Sequence, residues 1–313
     1  MLKILITDTV DDYLIQTLTN TGFQIDYQKN ITQSEVEHII SEYDGIIITT
    51  KISLLKNTLS KGERLKFIAR AGSGMDHVDL NYASSKNIIC ITSPEGNSSS
   101  VGEHCVALLL AIFHNIIIGN ESVKKYEWKT DEYRIRELAN QTIGIIGYGN
   151  TGPEFAKRIK PFGVNILAYD KYKKNYSDEF VKESNLEELH EHCDVISIHL
   201  PLTSETNNMI NYDFVSAFKK NIILINTSRG NVVNQTDLLK CISENKLTMA
   251  ALDVLDNEFF ETHTENEKKM YKSLFSNNKI IFTPHIAGKS HSTRFQHAQV
   301  LANKILALIK IVT

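Results

Sequence analysis

The sequence predicts an α/β protein built from two doubly wound parallel-sheet domains with a cleft between them. Three observations carry that expectation. Apolar strand-like runs alternate with amphipathic helical stretches along the chain, the pattern of parallel strands joined by crossover helices. The length, 313 residues, suits two domains at about 150 residues each. A stretch rich in Ser, Asn and Gly, "SPEGNSSSVGEH" at 93–104, interrupts the alternation before it resumes.

In chain order, "KILITD" reads as a first strand. "DDYLIQTLTNTG" follows as a helix whose apolar spacing ends at Gly22, a natural C-terminal stop. "DGIIITT", "LKFIARAG" and "IICITSP" are further strands, the last closed by Pro94. A helix is expected to begin near Ser100 and run through "VALLLAIFHNIII" (106–118). That stretch is shorter than the ~20 apolar residues a membrane span needs, so it reads as a buried or interface helix. The second series is "TIGIIGYG", "VNILAYD", "DVISIHL", "NIILINTS", "MAALDVL" and "KIIFTPH". One long amphipathic stretch, "RFQHAQVLANKILALIKIV", closes the chain and is expected to pack back on the first domain. The expected division is therefore a discontinuous domain of residues 1–97 plus 288–313 around an inserted domain, 98–287. The charged run "ETHTENEKK" (261–269) reads as a solvated loop or helix edge.

Composition narrows the partners. Hydrophobic content is 42% and formal charge −3, without the basic block that a nucleic-acid or anionic-membrane partner requires. The opening "MLKILITDTV" reads as a strand rather than a signal peptide. Cys90, Cys105, Cys193 and Cys241 are isolated, with no metal-ligand spacing, and are expected to be buried free thiols in a reducing compartment, the cytoplasm.

"TIGIIGYGNTG" holds Gly147, Gly149 and Gly152 in GxGxxG spacing between a strand and an amphipathic helix, "PEFAKRIKPFG". Glycine-rich turns are common, and this context is what gives the spacing meaning. Gly147 permits the tight turn, Gly149 lets backbone approach a pyrophosphate, and Gly152 allows close helix–strand packing. The helix N-terminus adds free N–H groups and a positive dipole end. The next strand ends on Asp170, an acceptor for ribose hydroxyls whose charge opposes a 2′-phosphate, so NAD is expected over NADP. Lys171, Lys173 and Lys174 sit close by as cations that could reach a phosphate instead.

Ligands of open α/β sheets bind beyond the carboxyl ends of the strands. There, Arg229 follows "IILINTS", Glu258 follows "MAALDVL" after a short turn, and His285 follows "KIIFTP". Singly, these residue types are more often a surface ion pair, a solvated loop acid and a capped helix entrance. Together, beside a dinucleotide motif, they suit hydride transfer to a ketone. An imidazole gives or takes a proton near neutral pH, a hydrogen-bonded carboxylate orients it and stabilises its charged form, and a guanidinium holds a 2-oxo acid with its planar fork of donors. Gly72, Ser73 and Gly74 in "ARAGSGMDHVDL" can form either a simple tight turn or an amide-lined anion nest, with Arg70 adding charge.

At these residues the chain resembles the NAD-dependent D-2-hydroxyacid dehydrogenases, within them the D-3-phosphoglycerate dehydrogenase branch. The likeness runs in order through "RAGSGMDHVDL", "NSSSVGEH", "ELANQTIGIIGYGNTG", "AYD", "DVISIHLPLTSET", "INTSRGNVVN", "AALDVLDNE" and "TPHIAG". It implies a flavodoxin-like substrate domain and a Rossmann NAD domain. It also implies Arg229, Glu258 and His285 as the catalytic set, and cofactor contacts from Asn150, Thr151, Asp170, Thr227, Ser228, Asp253 and the His285–Gly288 turn. Substrate contacts are implied from Arg70, Ser73 and Gly74, and a homodimer around the helix after Ser100. Asn150–Thr151 stands where many members have Arg–Ile, and Phe259 where proline commonly follows the glutamate. Thr49 stands where phosphoglycerate-specific members often carry arginine, with Lys51 as a possible replacement. The chain stops soon after its closing helix, so an appended serine-sensing domain is not expected.

The expected activity is NAD-dependent interconversion of a D-2-hydroxy acid and its 2-oxo acid. The leading pair is 3-phosphoglycerate and 3-phosphohydroxypyruvate, a step of serine biosynthesis. Hydroxypyruvate/glyoxylate reductase and D-lactate dehydrogenase are the alternatives; a formate-oxidising relative would have no use for Glu258. An NAD(H)-sensing interaction protein is the reading from another class, separated by its lack of turnover.

Overall fold

The computed structural model describes residues 2–312, with side chains as far as Leu308. Its elements form two compact units, one running to Ser98 and resuming at Lys289, the other spanning Ser99–Gly288.

The N-terminal unit is a parallel sheet of five strands: β1 (Lys3–Ile6), β2 (Gln24–Tyr27), β3 (Gly45–Ile48), β4 (Phe67–Arg70) and β5 (Ile89–Thr92), in the order β2-β1-β3-β4-β5. Its helices are α1 (Asp12–Asn20), α2 (Gln33–Ile39), α3 (Lys56–Leu59) and α4 (Leu80–Ser85). β3 and β4 are buried along their whole length, which is why they appear in the sequence as apolar runs, the second ending on Arg70. β2, at the edge and only part-buried, has no such run, and no sequence pattern marks it.

Beyond β5, α5 (Glu95–Phe113) and α6 (Ile116–Lys124) follow, separated by Asn115 at φ +51°. α5 starts at Glu95, five residues ahead of the expected start near Ser100. The small residues of "EGNSSS" are helical and serve packing. A Cβ on Gly96 would lie 2.5 Å from His297 Nδ1 and 2.7 Å from its backbone nitrogen, so only glycine lets the closing helix, α12 (Thr293–Val312), come so close. Ser93 Oγ and His297 Nδ1 share a buried hydrogen bond of 2.8 Å at the same place. Further along, Ala298, Leu301, Ala302 and Ile305 of α12 enter one core with Ile4, Ile6, Leu14 and Leu18 of β1 and α1.

The second unit is a parallel sheet of seven strands: β6 (Thr142–Ile146), β7 (Asn165–Tyr169), β8 (Lys182–Glu183), β9 (Val195–Ile198), β10 (Ile222–Asn226), β11 (Leu247–Leu252) and β12 (Ile280–Phe282). Their order is β12-β11-β10-β9-β6-β7-β8. The crossover helices are α7 (Thr151–Ile159), α8 (Leu186–His192), α9 (Tyr212–Ser216), α10 (Gln235–Ser243) and α11 (Glu265–Phe275). Two-residue β8 also escapes the sequence pattern. The charged run at 261–269 ends inside α11, which Thr264 and Glu267 start with a reciprocal capping box. Its carboxylate anchors the turn so well that Glu267 is held at a pKa of about 2, chiefly by the Thr264 hydroxyl and backbone.

All four cysteines are free; three are buried, but Cys90 is only part-buried, against the expectation for it. Among the described residues no single helix is long and apolar enough to cross a membrane. The doubly wound parallel α/β class is thus borne out in both units.

Candidate active site

In the seven-stranded sheet the winding direction reverses between β6 and β9, the position at which open α/β sheets bind ligands. The three motif glycines meet three different demands there. Gly147 has φ +93°, and a Cβ on it would lie 2.4 Å from His199 O, so the turn tolerates only glycine. A Cβ on Gly152 would lie 2.4 Å from Gly147 O, because α7 packs directly on that turn. A Cβ on Gly149 would meet nothing within 4 Å; that glycine faces open space, where a large anion could lie against the backbone. Asn150 and Thr151 follow at the first turn of α7.

Thr151 Oγ1 bonds His199 Nδ1 at 2.9 Å, and His199 Nε2 reaches Ser197 Oγ at 2.9 Å. Burial pushes the His199 pKa down to about 3, so this imidazole is a neutral strut between β9 and the glycine turn. Motif spacing did not reveal it.

Asp170 ends β7 and accepts the backbone N–H groups of Tyr148, Tyr172 and Lys173 at 2.8–2.9 Å. Burial alone would raise its pKa, but those donors and the Lys173 charge outweigh it and the net shift is downward. Its charge is therefore firmly held. Lys171 is paired with Glu205 at 2.8 Å, and Lys173 lies over the Tyr148 and Tyr176 rings. Two of the three neighbouring lysines thus have partners other than a 2′-phosphate.

The other half of the site stands on β10, β11 and β12, which are adjacent and in register, Asn226 opposite Leu252 and Leu252 opposite Phe282. Strands lie about 4.8 Å apart, so the loops carrying Arg229, Glu258 and His285 leave the sheet side by side. Asn226 shapes the first loop. Its Oδ1 accepts the Ser228 N–H and hydroxyl at 3.0 and 2.8 Å, and its Nδ2 donates to Arg229 O at 2.9 Å. Thr227 Oγ1 meets Cys105 Sγ of α5 at 3.3 Å. Gly230 follows Arg229 because a Cβ there would lie 1.9 Å from Leu255 C and 2.4 Å from Asp256 N. What approaches that glycine is the loop bearing Glu258.

His285 Nδ1 lies 2.7 and 2.9 Å from the two carboxylate oxygens of Glu258. His285 sits at φ +53°, a conformation that non-glycine residues adopt rarely and that surrounding bonds must enforce. Asp253 does so. Its carboxylate, fully buried, accepts from Thr283 Oγ1 at 2.5 Å and from the Ile286 and Ala287 N–H groups at 2.9 Å, and its carbonyl accepts the His285 N–H at 2.8 Å. His104 of α5 adds a 3.0 Å bond to Thr283 Oγ1. Asp253, expected as a nicotinamide contact, also braces the His285–Gly288 turn. Asn257 ties the Glu258 loop to α11 by donating its N–H to Tyr271 Oη at 2.9 Å, and its Oδ1 accepts the Phe259 N–H within the loop. Asp256 Oδ1 is buried without a hydrogen-bond partner, and burial raises that carboxyl to a pKa of about 6. The sequence assigns no role to His104, Asn226 or Asp256, although each lies within a stretch that carries the resemblance. Asn226 alone had a local signal, an Asx turn after a strand.

In the N-terminal unit, Arg70 closes β4 buried, its Nε donating to Thr49 O at 3.2 Å. Gly72 does not have a positive φ, and its N–H turns inward to Ser93 Oγ and Arg70 O. Ser73 Oγ donates to Asn97 Oδ1 at 2.8 Å.

A parallel sheet whose reversal point is lined by a glycine turn, with a carboxylate at the next strand end, is the frame of a dinucleotide-binding α/β protein, and a bonded imidazole–carboxylate pair stands on the same edge. Residues 106–287 match the family described as D-isomer specific 2-hydroxyacid dehydrogenase, NAD binding domain, and the chain belongs to that family. It is 30% identical over 313 residues to D-3-phosphoglycerate dehydrogenase of Methanocaldococcus jannaschii, covering 99% of this chain but 58% of that one. This chain thus spans just over half the length of that relative. It is also 30% identical over 303 residues to hydroxypyruvate reductase of Thermotoga maritima, covering 97% of each. Among solved structures it is similar to D-lactate dehydrogenase of Aquifex aeolicus complexed with NAD and lactic acid, with 30% identity, a TM-score of 0.84, and coverage of 98% and 95% of the two chains.

Proposed function

We propose that this protein is an NAD-dependent dehydrogenase that interconverts a short D-2-hydroxy acid and its 2-oxo acid. The observation that carries the reading is the Glu258–His285 pair at 2.7 and 2.9 Å, on strands adjacent to the one that presents Arg229. With Nδ1 given to Glu258, His285 has Nε2 for the substrate oxygen. It donates a proton there as the carbonyl becomes an alcohol and accepts one in the reverse direction; such catalysis contributes about 10²–10⁴-fold. Glu258 fixes the ring and stabilises the imidazolium. Arg229, on a turn pinned by Asn226, holds the substrate carboxylate and polarises the neighbouring carbonyl. The glycine turn, Thr151 and Asp170 would hold NAD, with Thr227, Ser228 and Gly288 at its nicotinamide end. The cofactor, when bound, supplies or accepts the hydride.

The substrates named for the relatives, 3-phosphoglycerate, hydroxypyruvate and lactate, bound the class. NADH oxidation followed at the nicotinamide absorbance, with phosphohydroxypyruvate, hydroxypyruvate, glyoxylate and pyruvate in turn, tests it. Turnover with at least one is expected, whereas NADH binding without turnover on all four would favour an NAD(H) sensor. We also propose a cytoplasmic homodimer. Ile116, Ile117 and Val123 of α6 and the following Tyr126 and Trp128 are exposed, an apolar surface of the kind that marks protein contacts; sedimentation of an Ile117→Asp variant as a monomer is the expected check.

A further inference from the structure

α5 sets two consecutive side chains, His104 and Cys105, against the loops of the acid–base site, and all of these residues belong to the unit Ser99–Gly288. Cys105 is fully buried and puts its Sγ 3.3 Å from Thr227 Oγ1, on the loop that carries Arg229. His104 has a side chain only 19% exposed, with Nε2 at 3.0 Å from Thr283 Oγ1 and 3.6 Å from Asp253 Oδ1. Those two partners belong to the turn that carries His285.

Counting protons settles which atoms donate. Both Asp253 carboxylate oxygens receive a backbone N–H, one from Ile286 and one from Ala287. The same carboxylate accepts the Thr283 hydroxyl at 2.5 Å. A hydroxyl has a single proton, and Thr283 gives it to Asp253. Toward His104 that oxygen can only accept, so His104 Nε2 carries the N–H. The donor chain therefore runs from His104 through Thr283 to Asp253, and each bond polarises the next. Asp253 in turn takes the His285 N–H on its carbonyl at 2.8 Å and holds that residue at φ +53°. A backbone in that region persists only where its surroundings over-determine it.

We infer that His104 is a positioning residue for the reaction. Its Nε2–H fixes the Thr283 hydroxyl on Asp253, and through Asp253 the angle at which His285 meets the substrate oxygen. The inference rests on the dehydrogenase reading above and adds a residue that works through Thr283 and Asp253 instead of on the reacting atoms. Because Cys105 ties the same helix to the Arg229 loop, α5 holds the guanidinium and the imidazole to a common support. Misplacing a reacting group by about 1 Å costs about 10²-fold in rate, so a loosened turn shows in kcat before it shows in binding.

The test measures kcat and KM for the best 2-oxo acid, NADH affinity by fluorescence, and Tm. It compares the wild type, His104→Gln, His104→Leu, Thr283→Val and the double variant of the last two. His104→Leu is expected to lower kcat about tenfold or more, with KM and NADH affinity within about threefold. His104→Gln offers an amide N–H near the place of Nε2 and should bring kcat back to within about threefold of the wild type. Adding His104→Leu to Thr283→Val should lower kcat by less than about twofold further, because the one residue acts through the other. The side-chain nitrogen signals of isotope-labelled histidine, assigned with His104→Gln, read the donor chain without kinetics. His104 as the Nε2–H tautomer is expected; the Nδ1–H tautomer overturns the inference. So do a kcat for His104→Leu within about threefold of the wild type, equal losses in the Gln and Leu variants, or losses that multiply in the double variant, and all of these leave the dehydrogenase reading intact. A wild type that binds NADH but turns over no 2-oxo acid overturns both.

Discussion

At the reversal point of the seven-stranded sheet, the backbone is bare: Gly147 is forced to φ +93° and Gly149 faces open space. At the reversal point of the five-stranded sheet the gap is spanned by side chains, Asp8 and Thr49. Both sheets reverse next to their first strand, β6 in one and β1 in the other, so winding alone gives each a ligand edge. What differs is the charge. Glycine and a helix N-terminus welcome a pyrophosphate, whereas Asp8 brings a negative charge to the other edge. Topology places a site, and a handful of residues at the strand ends decide its chemistry.

The comparison breaks most readily where packing holds the larger site together. Gly230→Ala drives a methyl into the Leu255 backbone, 1.9 Å away. Overpacking of this kind costs about 1–3 kcal/mol, and the displaced loop carries Glu258. A lower Tm and a loss of turnover of about 10²-fold or more are expected, measured by thermal unfolding and NADH oxidation. Asp170→Ser sharpens the electrostatic half of the contrast. It removes the carboxylate that opposes a 2′-phosphate and should narrow the preference for NADH over NADPH by about tenfold, read by fluorescence titration of both cofactors.

The smallest effect concerns Asp256. Burial raises its pKa in the folded state to about 6 from an ordinary 3.8. Below pH 3.8 both folded and unfolded forms are protonated, so nothing is lost. Between 3.8 and 6 the unfolded chain gives up the proton more readily, and the folded state loses stability until the loss is complete above pH 6. Asp256→Asn should therefore raise Tm at pH 8, by the equivalent of about 1 kcal/mol after allowing for its partial exposure, and leave it unchanged near pH 4.

Much of this was legible beforehand. Buried strands such as β3, β9 and β10 are largely apolar runs, and GxGxxG betrayed its turn because Gly147 and Gly152 each answer a separate steric demand. Edge strands β2 and β8 were illegible because little apolar surface is buried there. The start of α5 was misread because Gly96 and its neighbouring serines serve a close approach to His297, 201 positions away in the chain, which no local window contains. The same limit hid His104, 179 residues from its partner Thr283. The titratable trio was visible from strand ends, but the Asp253 brace that holds His285 at positive φ exists only once β11 and β12 are side by side.

The most direct test of the account is the rate of NADH oxidation by His285→Ala with the best 2-oxo acid, alongside NADH affinity by fluorescence. The acid–base role predicts a fall in kcat of about 10²–10⁴-fold with NADH affinity unchanged. Turnover within a few-fold of wild type would contradict it.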